Sequence, residues 1–138
     1  MEAYLEIEFY EGSPSKIYVK ASNGSYSGYT DTYTNENWLS QLADELTSFP
    51  NEPESIVIFE SEKDKKEESD LYLKFYSTNT KGGAQVRVCM KKGIYAASNT
   101  DEAKFNVNFE ISALDKFVKS LKHIIKNGEG ISILSGVQ

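Results

Sequence analysis

The stretch AYLEIEFY, residues 3–10, decides the expected fold of this chain. Its odd-numbered residues are apolar, whereas its even-numbered residues are Tyr or Glu. A repeat of two places successive side chains on opposite faces of a β-strand, so the pattern indicates one buried face and one exposed face. We therefore expect this segment to be the first strand of a sheet whose apolar face is covered.

Similar segments follow along the chain. Alternation or short apolar runs predict further strands near residues 17–21, 25–33, 55–59, 71–76, 84–91 and 103–111. Asn23-Gly24 favours a tight hairpin turn, because both residues tolerate a positive φ, and Gly82-Gly83 provides a second turn. Short turns of this kind connect antiparallel strands, so we expect an antiparallel sheet.

A first helix is predicted between the third and fourth strands. Its apolar residues repeat at helical spacing and include Trp38 in the stripe. Asn35, or Thr34, provides the side-chain oxygen that caps the first turn. Pro50 cannot continue a helix, so the segment ends before it.

A second helix is predicted near the C-terminus. Ser112 and Asp115 form a variant of the capping box at its start, and Asn127-Gly128 ends it. The apolar stripe of this helix consists of Leu114, Phe117, Val118, Leu121, Ile124 and Ile125. An optional last strand, at the edge of the sheet, is predicted over residues 130–137.

The predicted element order is therefore βββαββββα, with an optional terminal strand. We expect a single α+β domain over residues 1–138, in which two amphipathic helices cover one face of an antiparallel sheet of about seven strands. Residues 60–70 are rich in acids and poor in apolar side chains, which indicates an exposed loop.

Composition limits the class of protein. The chain has 138 residues, of which 39% are hydrophobic, and this suits one domain with one core. No apolar run approaches the roughly 20 residues that span a bilayer, and the N-terminus lacks the pattern of a signal peptide. We therefore expect a cytoplasmic protein that binds no membrane.

Charge is distributed unevenly along the chain, whose formal net charge is −6. Residues 1–70 hold 16 acidic and 5 basic side chains, and residues 71–138 hold 5 and 10. Nucleic-acid binders need a concentrated basic surface, so we expect no nucleic-acid partner. The acidic half favours attraction to basic proteins, although acidic surfaces also keep small proteins soluble without any binding role.

Few residues suit catalysis. His123 is the only histidine and is expected on the solvent side of the last helix, whereas Cys89 stands between Arg87 and Lys91 without a resolving cysteine. No nucleophile elbow, phosphate-binding loop or His/Cys metal pattern is present in the sequence. We expect no enzyme activity, cofactor or metal; a site made of carboxylates alone is the one enzymatic alternative that the residue types leave open.

Tyrosines carry the strongest indication of a binding role. Many take the polar phase of their strands, where they alternate with charged residues, and tyrosine is enriched in the cores of protein interfaces. The alternative is that tyrosine pairs across strands stabilise an exposed sheet. The candidate protein-binding residues are Tyr4, Glu6, Glu8, Tyr10, Tyr18, Tyr72, Lys74, Tyr76 and Arg87, together with Glu62, Asp64, Glu67 and Glu68 of the acidic loop.

The order of apolar motifs resembles a known group of proteins. Trp38, Leu42 and Leu46 mark the first helix, LYLKF (71–75) and VRV (86–88) flank a glycine turn, and F-x-V-x-F (105–109) leads into the terminal helix. This layout resembles small bacterial α+β proteins encoded near polymorphic toxin loci, some of which are immunity proteins. The resemblance implies stoichiometric binding of another protein and carries over no catalytic residue.

We therefore expect a non-catalytic protein that binds a basic partner, such as a toxin domain, in the manner of an immunity protein. One alternative is a small-ligand module that holds its ligand between sheet and helices. Another is a structural subunit that forms a homodimer through the tyrosine-bearing face.

Overall fold

The computed structural model describes residues 2–61, 69–78, 81–92 and 101–138. Within them the chain forms eight strands and two α-helices. The strands are β1 (Ala3–Tyr10), β2 (Ser15–Asn23), β3 (Ser27–Thr34), β4 (Ile56–Glu60), β5 (Leu71–Ser77), β6 (Gly83–Lys92), β7 (Asp101–Glu110) and β8 (Glu129–Ser135). The helices are α1 (Glu36–Thr47) and α2 (Leu114–Asn127), and a 3₁₀ turn, Ile111–Ala113, precedes α2.

The strands form two antiparallel sheets of four strands each. Sheet A has the order β3-β2-β1-β8, and sheet B has the order β4-β5-β6-β7. The α+β class and the terminal strand are confirmed, whereas the prediction of one sheet of about seven strands is wrong. Strands β3 and β4, which flank helix α1 in the sequence, are edge strands of different sheets.

The inner faces of the sheets pack against each other. Strand β2 contacts β7, and β3 contacts β6. Gly28 of β3 lies against sheet B: a β-carbon there would stand 2.9 Å from Met90 Sδ and 3.3 Å from the Cβ of Ala103. A large part of the apolar strand faces is thus buried by the other sheet, a role that the sequence prediction gave to the helices.

The helices pack on each other and on two edge strands. Helix α1 contacts β4 of sheet B, and α2 contacts β8 of sheet A. The prediction that both helices cover one face of one sheet is therefore wrong, although both exist close to their predicted bounds. One hydrophobic cluster contains residues of both sheets and both helices, in accord with one core.

The helix ends differ in how they are capped. Asn35 caps α1 as predicted, because its Oδ1 accepts a hydrogen bond from Trp38 N at 2.9 Å. Helix α2 begins at Leu114, and its N-cap residue Ala113 belongs to the 3₁₀ turn and makes no side-chain cap. The predicted capping box of Ser112 and Asp115 is therefore wrong. Gly128 ends α2 as predicted, with φ at 84°.

The chain after β8 joins the two sheets. Gly136 N donates to Ala3 O of sheet A, and Val137 N donates to Asn108 O of sheet B, each at 2.8 Å. The side chain of Asn23 also reaches across, with its Nδ2 3.0 Å from Asn106 O. These bonds fix the position of β1 relative to β7. Among the described helices, none is long and apolar enough to cross a membrane.

Candidate functional site

The predicted binding residues lie on two separate surfaces. Residues from β1 and β2, namely Tyr4, Glu6, Glu8, Tyr10 and Tyr18, are on the outer face of sheet A. Residues from β5 and β6, namely Tyr72, Lys74, Tyr76 and Arg87, are on the outer face of sheet B. Because the two sheets pack by their inner faces, these outer faces point away from each other. The interpretation of all of them as one continuous surface is wrong.

The outer face of sheet A holds the larger cluster. Its residues stand in cross-strand rows, since the register aligns side chains of equal phase on neighbouring strands. Read from β3 to β8, the rows are Tyr33–Lys16–Tyr10–Glu129, Asp31–Tyr18–Glu8–Ile131 and Tyr29–Lys20–Glu6–Ile133. We call these residues the tyrosine face. Tyr4 lies half-buried in the next row.

Aromatic rings on the tyrosine face contact one another. Tyr10 and Tyr18 meet edge to face with their centroids 5.8 Å apart, and Tyr18 stacks on Tyr29 at 6.3 Å. Two lysines make cation–π contacts with Tyr29: Lys92 Nζ lies 4.6 Å from the centroid of its ring, and Lys20 Nζ lies 5.9 Å from it. Each such contact contributes on the order of 0.5–1 kcal/mol at an exposed site, so the rings are held in place before any partner binds.

Asp31 forms ion pairs with two lysines, Lys16 and Lys92. Its carboxylate oxygens lie 3.0 Å from Lys16 Nζ and 3.1 Å from Lys92 Nζ. The hydrogen bond from Lys16 lowers the pKa of Asp31, and the same bond raises the pKa of Lys16. The Lys16 ammonium also lies 5.2 Å from the centroid of Tyr18 and 5.6 Å from that of Tyr33. The charges therefore orient the rings around them.

Tyr10 is oriented by its neighbour on the same strand. Its hydroxyl donates a hydrogen bond to Glu8 Oε2, and this bond raises the pKa of Tyr10. An open hollow of about 420 Å³ lies between Glu8, Tyr10, Tyr18, Lys20 and Tyr29. The hollow is open to solvent, and both tyrosine rings and charged side chains line it.

Two isoleucines extend the face toward its edge. Ile131 and Ile133 of β8 are 51% and 48% exposed. A second hollow, of about 670 Å³, lies beside them and is lined by Tyr4, Glu6, Ile133 and the C-terminal residues up to Gln138. The surface thus combines aromatic, aliphatic and acidic groups over four adjacent strands.

The residues on the outer face of sheet B form a smaller and more covered group. Tyr72 and Cys89 are buried there, at 7% and 0% exposure. Tyr76 donates a hydrogen bond to Gln85 Oε1, and Gln85 Nε2 in turn donates to Asn108 Oδ1 at 2.6 Å. The expectation that Tyr72 stands on an open face is wrong, and Cys89 opposite it is a fully buried thiol.

Other predicted residues add little to a site. Glu62, Asp64, Glu67 and Glu68 of the acidic loop lie outside the described residues. His123 is exposed on α2, as expected, and its Nε2 lies 3.0 Å from Asn127 Nδ2. Among the residues that the structure describes, no group of three or more His, Cys, Asp or Glu side chains could hold a metal ion.

Comparisons with protein-family models, with curated proteins and with solved structures find no match to this chain.

Several residues of the tyrosine face were absent from the predicted site. Lys16, Asp31 and Lys92 order its rings, and Ile131 and Ile133 widen it. The tight Asn23-Gly24 turn expected from the sequence would place Tyr29 opposite Tyr18. In the structure Ser22 pairs with Ser27, so the loop is two residues longer and Asp31 lies opposite Tyr18. This pairing therefore had no reliable signal in the sequence. The sequence contained no signal that β8 contributes to this face, because β8 and its partner β1 lie far apart along the chain.

Proposed function

We propose that this protein is a non-catalytic binding protein whose tyrosine face docks on another protein, in the manner of an immunity protein that blocks a toxin. The observation that carries the proposal is the ordered set of rings formed by Tyr10, Tyr18 and Tyr29. Tyrosine buries a large area at a low cost in rotamer entropy, and rings that are already fixed lose less freedom on binding.

The charges of the tyrosine face favour a basic partner. Its β1 and β8 half carries Glu6, Glu8 and Glu129 beside exposed isoleucines. The opposite half carries Lys16 and Lys20, with Lys92 beside it. Asp31 contacts Lys16 and Lys92 but offsets only one positive charge, so the acidic β1 and β8 half is the part that favours a basic partner. Acidic groups around an aromatic centre would attract a cationic domain during encounter, and desolvated rings would slow its dissociation.

An affinity experiment with matched variants tests the proposal. The immobilised protein is exposed to an extract of the cells that encode it, and captured proteins are quantified against the bait. We expect one cationic protein in stoichiometric amount. The double variant Tyr10→Ala and Tyr29→Ala should lose it, since two central anchors together contribute about 2 kcal/mol or more, which corresponds to roughly a thirtyfold rise in Kd.

Tyr26→Ala serves as the control. Tyr26 is 69% exposed but lies in the turn between β2 and β3, outside the rows of the tyrosine face. This variant should bind as the unchanged protein does. Capture of no stoichiometric protein, or equal capture by the double variant and the control, would contradict the proposal.

Self-association is a second candidate, favoured by the exposed Ile131 and Ile133 on edge strand β8. Two copies could pair these strands about a two-fold axis. Sedimentation velocity over a wide range of protein concentration tests this alternative. A dimer that Ile133→Lys dissociates would support it, and a monomer throughout the range would remove it.

A further inference from the structure

A second surface, on the other side of the molecule, has the features of a strand-docking groove. Strand β4 is an edge strand of sheet B, and α1 packs beside it. Ser61 N donates to Leu71 O, which makes Ser61 and Leu71 a hydrogen-bonded pair of the antiparallel ladder. Because such pairs alternate, Phe59 and Val57 bond to β5, whereas the backbone groups of Ile56 and Ile58 point outward from the sheet.

The outward backbone groups border two adjoining hollows, of which the one beside Trp38 has an apolar floor. One hollow, of about 320 Å³, lies between Trp38 and Ile58 above Leu42 and Phe59. Another, of about 340 Å³, continues past Glu45 along Ile56. The two share Glu45 and both follow β4, so they form one trough between the edge strand and α1.

Apolar side chains in this trough are unusually accessible. Trp38 is 45% exposed, although helical spacing predicted it in the core; Leu39, one position later, is buried instead. Ile56 and Ile58 are 52% and 46% exposed, because β4 is an edge strand rather than the buried strand that its apolar run indicates. An edge strand with exposed apolar residues is a template for pairing with another chain.

The negative charge of the trough favours a bound segment that is basic. Four glutamates are among the described residues that line it, namely Glu45, Glu52, Glu54 and Glu60, and no lysine or arginine is. A bound strand would place alternate side chains over these carboxylates and over the apolar floor. The complementary sequence therefore alternates basic residues with apolar ones.

We propose that the groove between α1 and β4 binds an extended basic segment of another protein, which adds to sheet B as a fifth strand beside β4. Main-chain hydrogen bonds to Ile56 and Ile58 provide part of the affinity, and the glutamates select basic side chains. This site uses none of the residues of the tyrosine face, so it does not depend on the function proposed above.

A peptide library tests the proposal. The probes are short peptides with Lys or Arg at alternate positions and varied residues between them, selected on the unchanged protein. We expect binders with apolar residues at the varied positions. Their addition should slow hydrogen exchange of the Ile58 amide by about tenfold or more, because that N–H then donates to the added strand.

Three matched comparisons make the result decisive. Methylation of alternate backbone nitrogens in a selected peptide should abolish binding, since it removes the donors of the added strand. Glu45→Lys combined with Glu54→Lys should raise the Kd about tenfold. Glu110→Lys combined with Asp101→Lys, an equal charge reversal on the opposite edge strand β7, should leave it unchanged.

The proposal fails on any of three outcomes. The selection returns no binder, the methylated peptide binds as well as its parent, or the protected amides are those of β8 rather than of Ile58. The double alanine variant of the tyrosine face should keep its peptide affinity, so failure here and failure of the function proposed above are distinguishable.

Discussion

The Sδ atom of Met90 lies 2.9 Å from the position that a β-carbon would occupy at Gly28. These residues belong to different sheets, so their proximity is one of the points at which sheet A packs against sheet B. Gly28 lacks a side chain on the inner face of β3, and this allows the sheets to come together there.

Replacement of Gly28 by Val should destabilise the protein. A β-carbon at this position already lies 2.9 Å from Met90 Sδ and 3.3 Å from the Cβ of Ala103, so valine forces these side chains to shift. Overpacking of this kind costs about 1–3 kcal/mol. Urea denaturation followed by circular dichroism measures the change. Ser27→Val places the same side chain on the exposed side of the same strand and should shift the free energy of unfolding by less than about 0.5 kcal/mol. Equal effects of the two substitutions would contradict the sheet packing.

Replacement of Asp31 by Asn should weaken stability in a pH-dependent manner. Asp31 loses its ion pairs with Lys16 and Lys92, which are partly exposed and so contribute a small stabilisation at low salt. The pKa of Asp31 is lowered below its ordinary value of 3.8 in the folded protein, so its stabilisation is present above that pH. The stabilisation is lost as the pH falls through the folded pKa.

The difference in unfolding free energy between the two proteins should therefore be largest near neutral pH. It should shrink below about pH 3.8 and also in high salt, which screens exposed charges. Thermal or urea unfolding at several pH values checks this. A difference that stays constant over the acid range would show that the ion pairs do not stabilise the fold.

The sequence predicted which face of a strand each residue occupies, but it did not predict which strands lie next to each other. The alternation of β1 correctly assigns Leu5 and Ile7 to the core and Glu6 and Glu8 to the outside. It contains no information on which strand lies beside β1, and one neighbour, β8, comes from the far end of the chain. The division into two sheets follows from such long-range pairing.

The candidate site was predictable to the same extent. Tyr10 and Tyr18 share a phase with Glu8, and the structure places all three on one face. Tyr72 has the same polar phase in its own strand but is buried on the other sheet. Alternation specifies the side of a sheet on which a residue stands, and what covers that side depends on tertiary packing.

Removal of the α1 cap should lower stability. Asn35→Ala takes away the oxygen that accepts from Trp38 N, and the loss of such a cap costs about 0.5–2 kcal/mol. Asn37→Ala, within the exposed first turn, removes an equivalent side chain without a capping bond and should cost less. Chemical denaturation of both variants in parallel tests the capping role, which equal losses would contradict.

Cys89 should be unreactive in the folded protein. Its side chain is fully buried, so a thiol reagent such as DTNB should label it only as fast as the protein unfolds. Denaturant should make it react at once. Ser25→Cys, in the exposed β2–β3 turn, provides a second thiol that should react rapidly without denaturant. Rapid labelling of native Cys89 would contradict its burial.

Hydroxyl-radical footprinting of the complex with the captured partner tests the central claim most directly. If the tyrosine face is the docking surface, oxidation of Tyr10, Tyr29 and Tyr33 should fall several-fold on binding, since rings buried in an interface exclude solvent. Tyr26, in the adjoining turn, should be oxidised at the same rate with and without the partner. Unchanged oxidation of Tyr10 and Tyr29 in a saturated complex would contradict the account.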